Sequence, residues 1–280
     1  MVCESYKDGD IVGVYLINGD DISTVYDMWG DNLVQCYDID GNALLSGRTF
    51  DDNTTITDIY TSALTAYPQG GCVDDNGNLC VIFPTVGKFI KHNINNGTNT
   101  EISFTPDAYG HGNGMTYNPN TGYFYVASMS STGEVYVFDS SFNLIDTVYA
   151  RDGNDNIFNC WNIAYDRIAE RFITISSENG GIIYYMDDDF NYISSVAFNA
   201  TLWGYTRQDI ETDGVFIYCL SYNSNHIYVF DMLGNLIIDI SNSAFIGEPE
   251  SLCYDWENDV YYIEGRDSYF VIRQAEFFEQ

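Results

Sequence analysis

The chain has 280 residues and carries 41 acidic side chains against 10 lysines and arginines, a formal charge of −31. Phosphate binding needs clustered cations, so this balance argues against nucleic acid, and against an anionic membrane surface, as partners. At 45% apolar and 16% aromatic the chain is a folded protein and not an acidic disordered tail, and it has no apolar run of the ~18 residues that would predict a membrane insertion.

At the N-terminus, Met1-Val2-Cys3-Glu4-Ser5 lacks the basic segment and apolar stretch of a secretory leader, so no signal peptide is expected. Residues 11–17, 33–37 and 43–45 have the apolar, β-branched character of strands. From residue 68 onward a hairpin recurs. Gly71-Cys72-Val73 is followed by the turn Asp74-Asp75-Asn76-Gly77 and then Asn78-Leu79-Cys80-Val81-Ile82. Gly114-Met115-Thr116-Tyr117 is followed by Asn118-Pro119 and Tyr123-Phe124-Tyr125-Val126. Similar pairs run over 161–175, 209–220 and 251–263. Asn and Gly tolerate positive φ and Pro presets its own, so these turns have a mechanism.

A second hairpin follows each of the first. Its turns begin at Asp139, Asp187 and Asp231, about 45 residues apart, with Asp38 an earlier copy and residues 93–97 a degenerate one. Third strands such as Glu134-Val135-Tyr136-Val137-Phe138 and His226-Ile227-Tyr228-Val229-Phe230 lead into it, and fourth strands leave it. Four antiparallel strands per repeat of this length are the blade of an all-β fold, the β-propeller. No segment has sustained helical periodicity.

Phe124-Tyr125-Val126-Ala127 with Gly133-Glu134-Val135-Tyr136-Val137-Phe138-Asp139 resembles a blade of YVTN or NHL-type propellers. Five such units occupy residues 68–280, and residues 1–67 are expected to form either a first blade or ring-closing strands within one domain. Six blades are the favoured count and five the alternative.

The seven cysteines fall mostly within strands, without zinc spacing, and read as small buried apolar groups of a chain made in a reducing compartment. The turns at Asp38, Asp74 and Asp187 resemble half a calcium loop but lack the glutamate that completes one. Asp and Asn capping their own turns is the stronger reading. No cofactor is called for, although a calcium ion held by oxygens from several blades is admitted.

Residues just before each blade's first strand converge on the mouth of the central channel. Aligning the copies on Val73, Met115, Ile163, Ile210 and Leu252 brings Gln69, His111, Asn113, Asn159, Trp161, Gln208, Glu248 and Glu250 to that mouth, with Tyr205 and Arg207 beside them. These ten are the candidate ligand-binding residues. The same polarity would also serve to hydrate a channel. Trp203 is the most exposed aromatic candidate for stacking on a sugar. A hydrolase or lyase would use His111 or Glu248 as base, oriented by Glu250 or Arg207, but no nucleophile motif or phosphate loop is present.

The sequence therefore favours a binding or structural module over an enzyme, with an intracellular peptide-binding scaffold as a third alternative. Tyr67-Pro68-Gln69-Gly70-Gly71 and residues 110–119 are similar to segments of propellers in phage tail-associated and bacterial surface proteins. That resemblance implies a virion protein made in bacterial cytoplasm and placed at the tail or host-contact end. It also implies a glycan or other virion proteins as partners, and assembly as a homo-oligomer.

Overall fold

The computed structural model describes residues 2–7, 10–16, 35–37, 43–45, 50–129, 132–175, 181–198, 207–221, 226–241, 248–266 and 270–278, of which 2–45, 51–54, 207, 248 and 278 are described by backbone alone. Two compact units divide the chain, a small one of Met1–Asp52 with Phe277–Gln280 and a large one of Asn53–Glu276. In the small unit β1 (Val2–Lys7) pairs antiparallel with β2 (Asp10–Leu16), and β3 (Gln35–Tyr37) with β4 (Ala43–Leu45).

The large unit is a β-propeller. After β5 (Phe50–Thr61), blade 1 runs β6 (Gly70–Val73), β7 (Asn78–Phe83), β8 (Lys88–Asn93) and β9 (Asn99–Ser103). Blade 2 runs β10 (Gly114–Asn118), β11 (Tyr123–Ala127), β12 (Glu134–Phe138) and β13 (Leu144–Tyr149). Blade 3 runs β14 (Ala164–Asp166), β15 (Arg171–Ile175), β16 (Ile182–Met186) and β17 (Tyr192–Ala197). Blade 4 runs β18 (Arg207–Thr212), β19 (Phe216–Ser221), β20 (His226–Asp231) and β21 (Leu236–Ser241). Blade 5 runs β22 (Glu248–Asp255), β23 (Val260–Arg266) and β24 (Phe270–Phe278), and its fourth strand is β5.

Five four-stranded sheets thus form the ring among the described residues. The five-blade alternative is the count found, and the favoured sixth blade is not. The physical reason is closure. An open ring would leave the edge of β24 unpaired, and β5 from the other end of the chain covers it.

Burial follows strand position. β19 is buried at every residue, whereas the outer strands β13 and β17 are mostly exposed. Middle strands lie between two neighbouring blades and read as continuous apolar runs, while outer strands face water. Aromatic side chains fill the seams between blades. Phe89 of blade 1 stacks on Phe142 of blade 2 with centroids 4.2 Å apart, and Phe172 meets Phe190 at 4.6 Å within blade 3.

Phe142 and Phe190 sit at positive φ in the recurrent turn. That strained conformation costs on the order of 1 kcal/mol and is offset by burying a ring of the Phe class. Each such turn is capped by its own first residue. Asp187 Oδ1 accepts the backbone N–H of Asp189 at 3.0 Å and of Asn191 at 2.8 Å, and Oδ2 accepts from Asn191 Nδ2 at 3.0 Å. Asp139 and Asp231 make the same bonds, and Asp74 is capped likewise with Asn78. The copy at Asp38 lies outside the described residues. Five cysteines (72, 80, 160, 219 and 253) are buried and free.

Candidate functional site

The innermost strands β6, β10, β14, β18 and β22 neighbour one another around the axis. Their registers define which residues are equivalent. Gly70 pairs with Ile82, Gly114 with Ala127, Asp209 with Leu220 and Ser251 with Glu264. Gly71 is therefore the counterpart of Met115, Ile163, Ile210 and Leu252. The sequence alignment placed Val73 there and so set the first copy two residues out of step. The cause is physical: at this position blade 1 has a glycine where the other blades have a large apolar side chain, and the next apolar residue is Val73.

With the corrected register, Gln69, Asn113, Trp161, Gln208 and Glu250 form one ring. Tyr67, His111, Asn159 and Glu248 lie two residues further out, with residue 206 beyond the described set. The inner ring is buried except for the half-buried Trp161. It brings three predicted residues together from three blades. Asn113 Nδ2 donates across the axis to the Gln208 carbonyl at 2.8 Å, and Gln208 Nε2 donates to Glu250 Oε2. Gln69 Nε2 donates to the Pro68 carbonyl at 2.8 Å, and its buried Oε1 has no partner among the described residues.

On the outer rim His111 is exposed, and partial burial lowers its pKa against the opposing pull of Asp107. Asn159 is half-buried, and Tyr67 is exposed with the Arg266 guanidinium 3.9 Å from its ring centre. Arg207 and Glu248 begin β18 and β22, with only their backbone described; Tyr205 and Trp203 lie outside the described residues.

Below this ring the inner strands approach closely. A Cβ on Gly70 would lie 2.8 Å from the Gly114 carbonyl carbon, and one on Gly114 would lie 2.6 Å from Asn162 Cα. Only glycine fits there. A void of about 10 Å³ is lined by inner-strand residues of all five blades, including Cys72, Thr116, Tyr165, Glu211 and Tyr254. That is space for about one water.

Both seams of blade 5 hold buried carboxyls, those of blade 4 on one side and Glu264 of blade 5 on the other, a pattern that single-residue reading missed. Asp209 Oδ2 accepts Ser251 Oγ at 2.8 Å and the Leu252 N–H at 3.1 Å. Glu211 Oε2 accepts the Tyr254 N–H at 3.3 Å. Asp213 Oδ2 accepts the hydroxyls of Tyr218 and Tyr261, each at 2.9 Å. On the other side Glu264 is fully buried. Its Oε1 accepts a weak bond from Cys253 Sγ at 3.8 Å, and its Oε2 has no partner among the described residues.

Burial pushes Asp209 and Glu264 well above the usual carboxylate range, Glu211 up to about 8, and Asp213 upward against the pull of its hydrogen bonds. In each of them desolvation disfavours the ionised form. One signal of Glu264 lies in the sequence, because the other blades place Ile82, Ala127, Ile175 and Leu220 at its position.

At the opposite end of the channel, where the first hairpins turn, lies a cavity of about 350 Å³ lined by Val73, Asp74, Asp75, Arg167, Asp255, Trp256 and Glu257. Arg167 Nη1 donates to Asp75 Oδ1 at 2.7 Å, and its guanidinium carbon is 5.8 Å from the Tyr117 ring centre and 5.7 Å from that of Trp256. Among the described residues no three His, Cys, Asp or Glu side chains converge as a metal site, and no helix is long and apolar enough to cross a membrane.

No family model matches the sequence, and no curated protein matches it. In structure the chain is similar to a glutaminyl cyclase from Myxococcus xanthus, at a TM-score of 0.62 and 12% identity over 81% of this chain and 99% of that one. It is also similar to a gluconolactonase from Xanthomonas campestris (TM-score 0.55, 9% identity, 81% and 90% of the two chains). A third likeness is to regucalcin, a calcium-binding protein from Agrobacterium tumefaciens (0.52, 9%, 83% and 94%). At these identities the likeness is one of fold. The chain is a β-propeller of four-stranded antiparallel blades, consistent with repeats of the NHL or YVTN type.

Proposed function

We propose that this protein is a non-catalytic binding propeller that receives a glycan or protein partner on the rim where the inner strands begin. The observation that supports this most is the hydrogen-bonded ring beneath the rim. Asn113 Nδ2 donates to the Gln208 backbone carbonyl and Gln208 Nε2 to Glu250, so three blades are tied together below the surface that would meet a partner. On the rim Tyr67, His111 and Asn159, with the half-buried Trp161 of the ring below them, present aromatic faces and an amide. Those are the groups that stack on and hydrogen-bond a neutral ligand.

The solved structures named above are enzymes and binding proteins, so a virion setting rests on the sequence resemblance of residues 67–71 and 110–119 alone. A glycan array probed with the purified protein and its Tyr67→Ala and Trp161→Ala variants tests the reading. Specific binding lost in the variants is the expected result. Binding unchanged in both, or none to any glycan or protein tested, contradicts it.

A second reading, a propeller hydrolase or lyase, is favoured by one observation. Glu211 borders the axial void with its pKa raised to about 8, which suits a general acid at neutral pH. The void admits no substrate larger than water, so this reading needs Arg167 and Trp256 to move aside. Turnover abolished by Glu211→Gln in a fold that stays intact would favour it over the first.

A further inference from the structure

The cavity at the turn end of the channel is separate from the rim and differs from it in chemistry. Four of its seven lining residues are acidic and one is a guanidinium. Its volume of about 350 Å³ falls within the range of small-ligand sites. Two of its carboxyls are already spent. Asp255 Oδ1 accepts the N–H groups of Glu257 and Asn258, and its Oδ2 accepts Asn258 Nδ2. Asp74 caps its own turn and pairs with Lys91 at 3.4 Å. They contribute field, and Asp75 and Glu257 are left to meet a ligand. Asp75 is 42% exposed even while paired with Arg167, and Glu257 is exposed. Trp256 forms the aromatic wall.

A second observation comes from the side chain already in place. Arg167 is only 20% exposed and lies near the rings of both Trp256 and Tyr117 while bonded to Asp75. The cavity wall thus already receives a guanidinium by cation–π contact and charge-assisted hydrogen bonding. An anion would meet one cation and four carboxylates. A divalent metal would find Asp74 and Asp255 committed to their turns. A planar monovalent cation gains from the carboxyls and the Trp256 ring, which outweigh the one guanidinium, and the protein's charge of −31 concentrates such ligands at its surface.

We propose that this cavity binds the side chain of an arginine in a basic peptide segment, received between Trp256, Asp75 and Glu257. The guanidinium lies along the Trp256 ring beside Arg167, with its N–H groups donated to Glu257 and to the half-exposed carboxyl of Asp75, which also holds Arg167 and Tyr117. The site is independent of the rim, and neither stands or falls with the other.

Calorimetric titration with N-acetylargininamide, and with its neutral counterpart N-acetylcitrullinamide, at roughly physiological ionic strength tests it. The expected result is saturable one-to-one binding of the arginine compound alone. Glu257→Gln and Trp256→Ala should each weaken it about tenfold. Asp146→Asn, an exposed acid on β13 away from the cavity, should leave it unchanged. Glu257 is exposed at the edge of the cavity, so its variant keeps the test decisive if Trp256→Ala does not fold. Three outcomes overturn the proposal: no saturable binding, equal binding of the citrulline compound, or an Asp146→Asn loss as large as that of Glu257→Gln.

Discussion

The seam between blades 1 and 2 and the seam between blades 5 and 1 share one backbone geometry and carry opposite contents at one point near the axis. In the first, Met115 and Ile82 belong to one buried apolar cluster with Phe89, Phe124 and Phe138. Ile163 with Ala127, and Ile210 with Ile175, repeat that pairing in the next two seams, and Leu252 and Leu220 hold the same buried positions in the fourth. In the closing seam the pair is Gly71 and Glu264. A Cβ on Gly71 would lie 2.3 Å from Glu264 Oε2, so the carboxyl fills the space that a side chain fills elsewhere.

Further from the axis the closing seam is apolar again, with Val81, Phe83, Phe270 and Ile272 in one cluster. The repeat therefore fixes a volume, and two chemistries can fill it. Four seams do so with dispersion and hydrophobic burial. The fifth does so with a buried carboxyl whose pKa desolvation raises, which makes closure of the ring sensitive to pH.

Moving the acid into a dry seam should have the largest effect. Ile82→Glu places a carboxyl against Met115, which leaves no room for it, and should cost about 4 kcal/mol or more, read as a lower urea midpoint or failure to fold. Closing the space at the carboxyl-filled seam should cost less. Gly71→Ala forces Glu264 to move and should cost about 1–3 kcal/mol. Combined with Glu264→Ala that cost should largely vanish, a coupling of about 1 kcal/mol or more in a double-mutant cycle. Additive losses would mean the two residues do not share this space. Smallest is a change that both kinds of seam should tolerate. Asp187→Ala removes the exposed turn cap of blade 3 and should cost about 1 kcal/mol, with no change in ring closure.

Much of this molecule is legible in its sequence where the repeat enforces it. The strands of blades 1 to 4 follow from apolar runs and from turns such as Asn76-Gly77 and Asp187-Asp188-Asp189. Blade count is less legible, because β5 (sequence FDDNTTITDIYT) is an outer strand with little apolar pattern, and its pairing with β24 is set by ring closure. The register of blade 1 is misread because Gly71 replaces an apolar residue for a reason carried by Glu264, far along the chain. The turn-end cavity draws Asp75, Arg167 and Trp256 from three blades, and no local motif announces such a meeting. The candidate residues Asn113, Gln208 and Glu250 do meet, through hydrogen bonds to one another.

The most direct test of the account is the pH dependence of unfolding free energy for the wild type and for Glu264→Gln. Glu264 has a folded pKa raised above its ordinary value of 4.5, so its contribution is fully present below that pH and is lost as pH rises toward the folded value. Asp209, Glu211 and Asp213 act with the same sign. The wild type should lose stability from about pH 4.5 upward. The variant should lose it with a slope shallower by one proton, ~1.4 kcal/mol per pH unit. Equal slopes would mean that Glu264 is ionised in the folded protein, and would contradict a closing seam built on a neutral carboxyl.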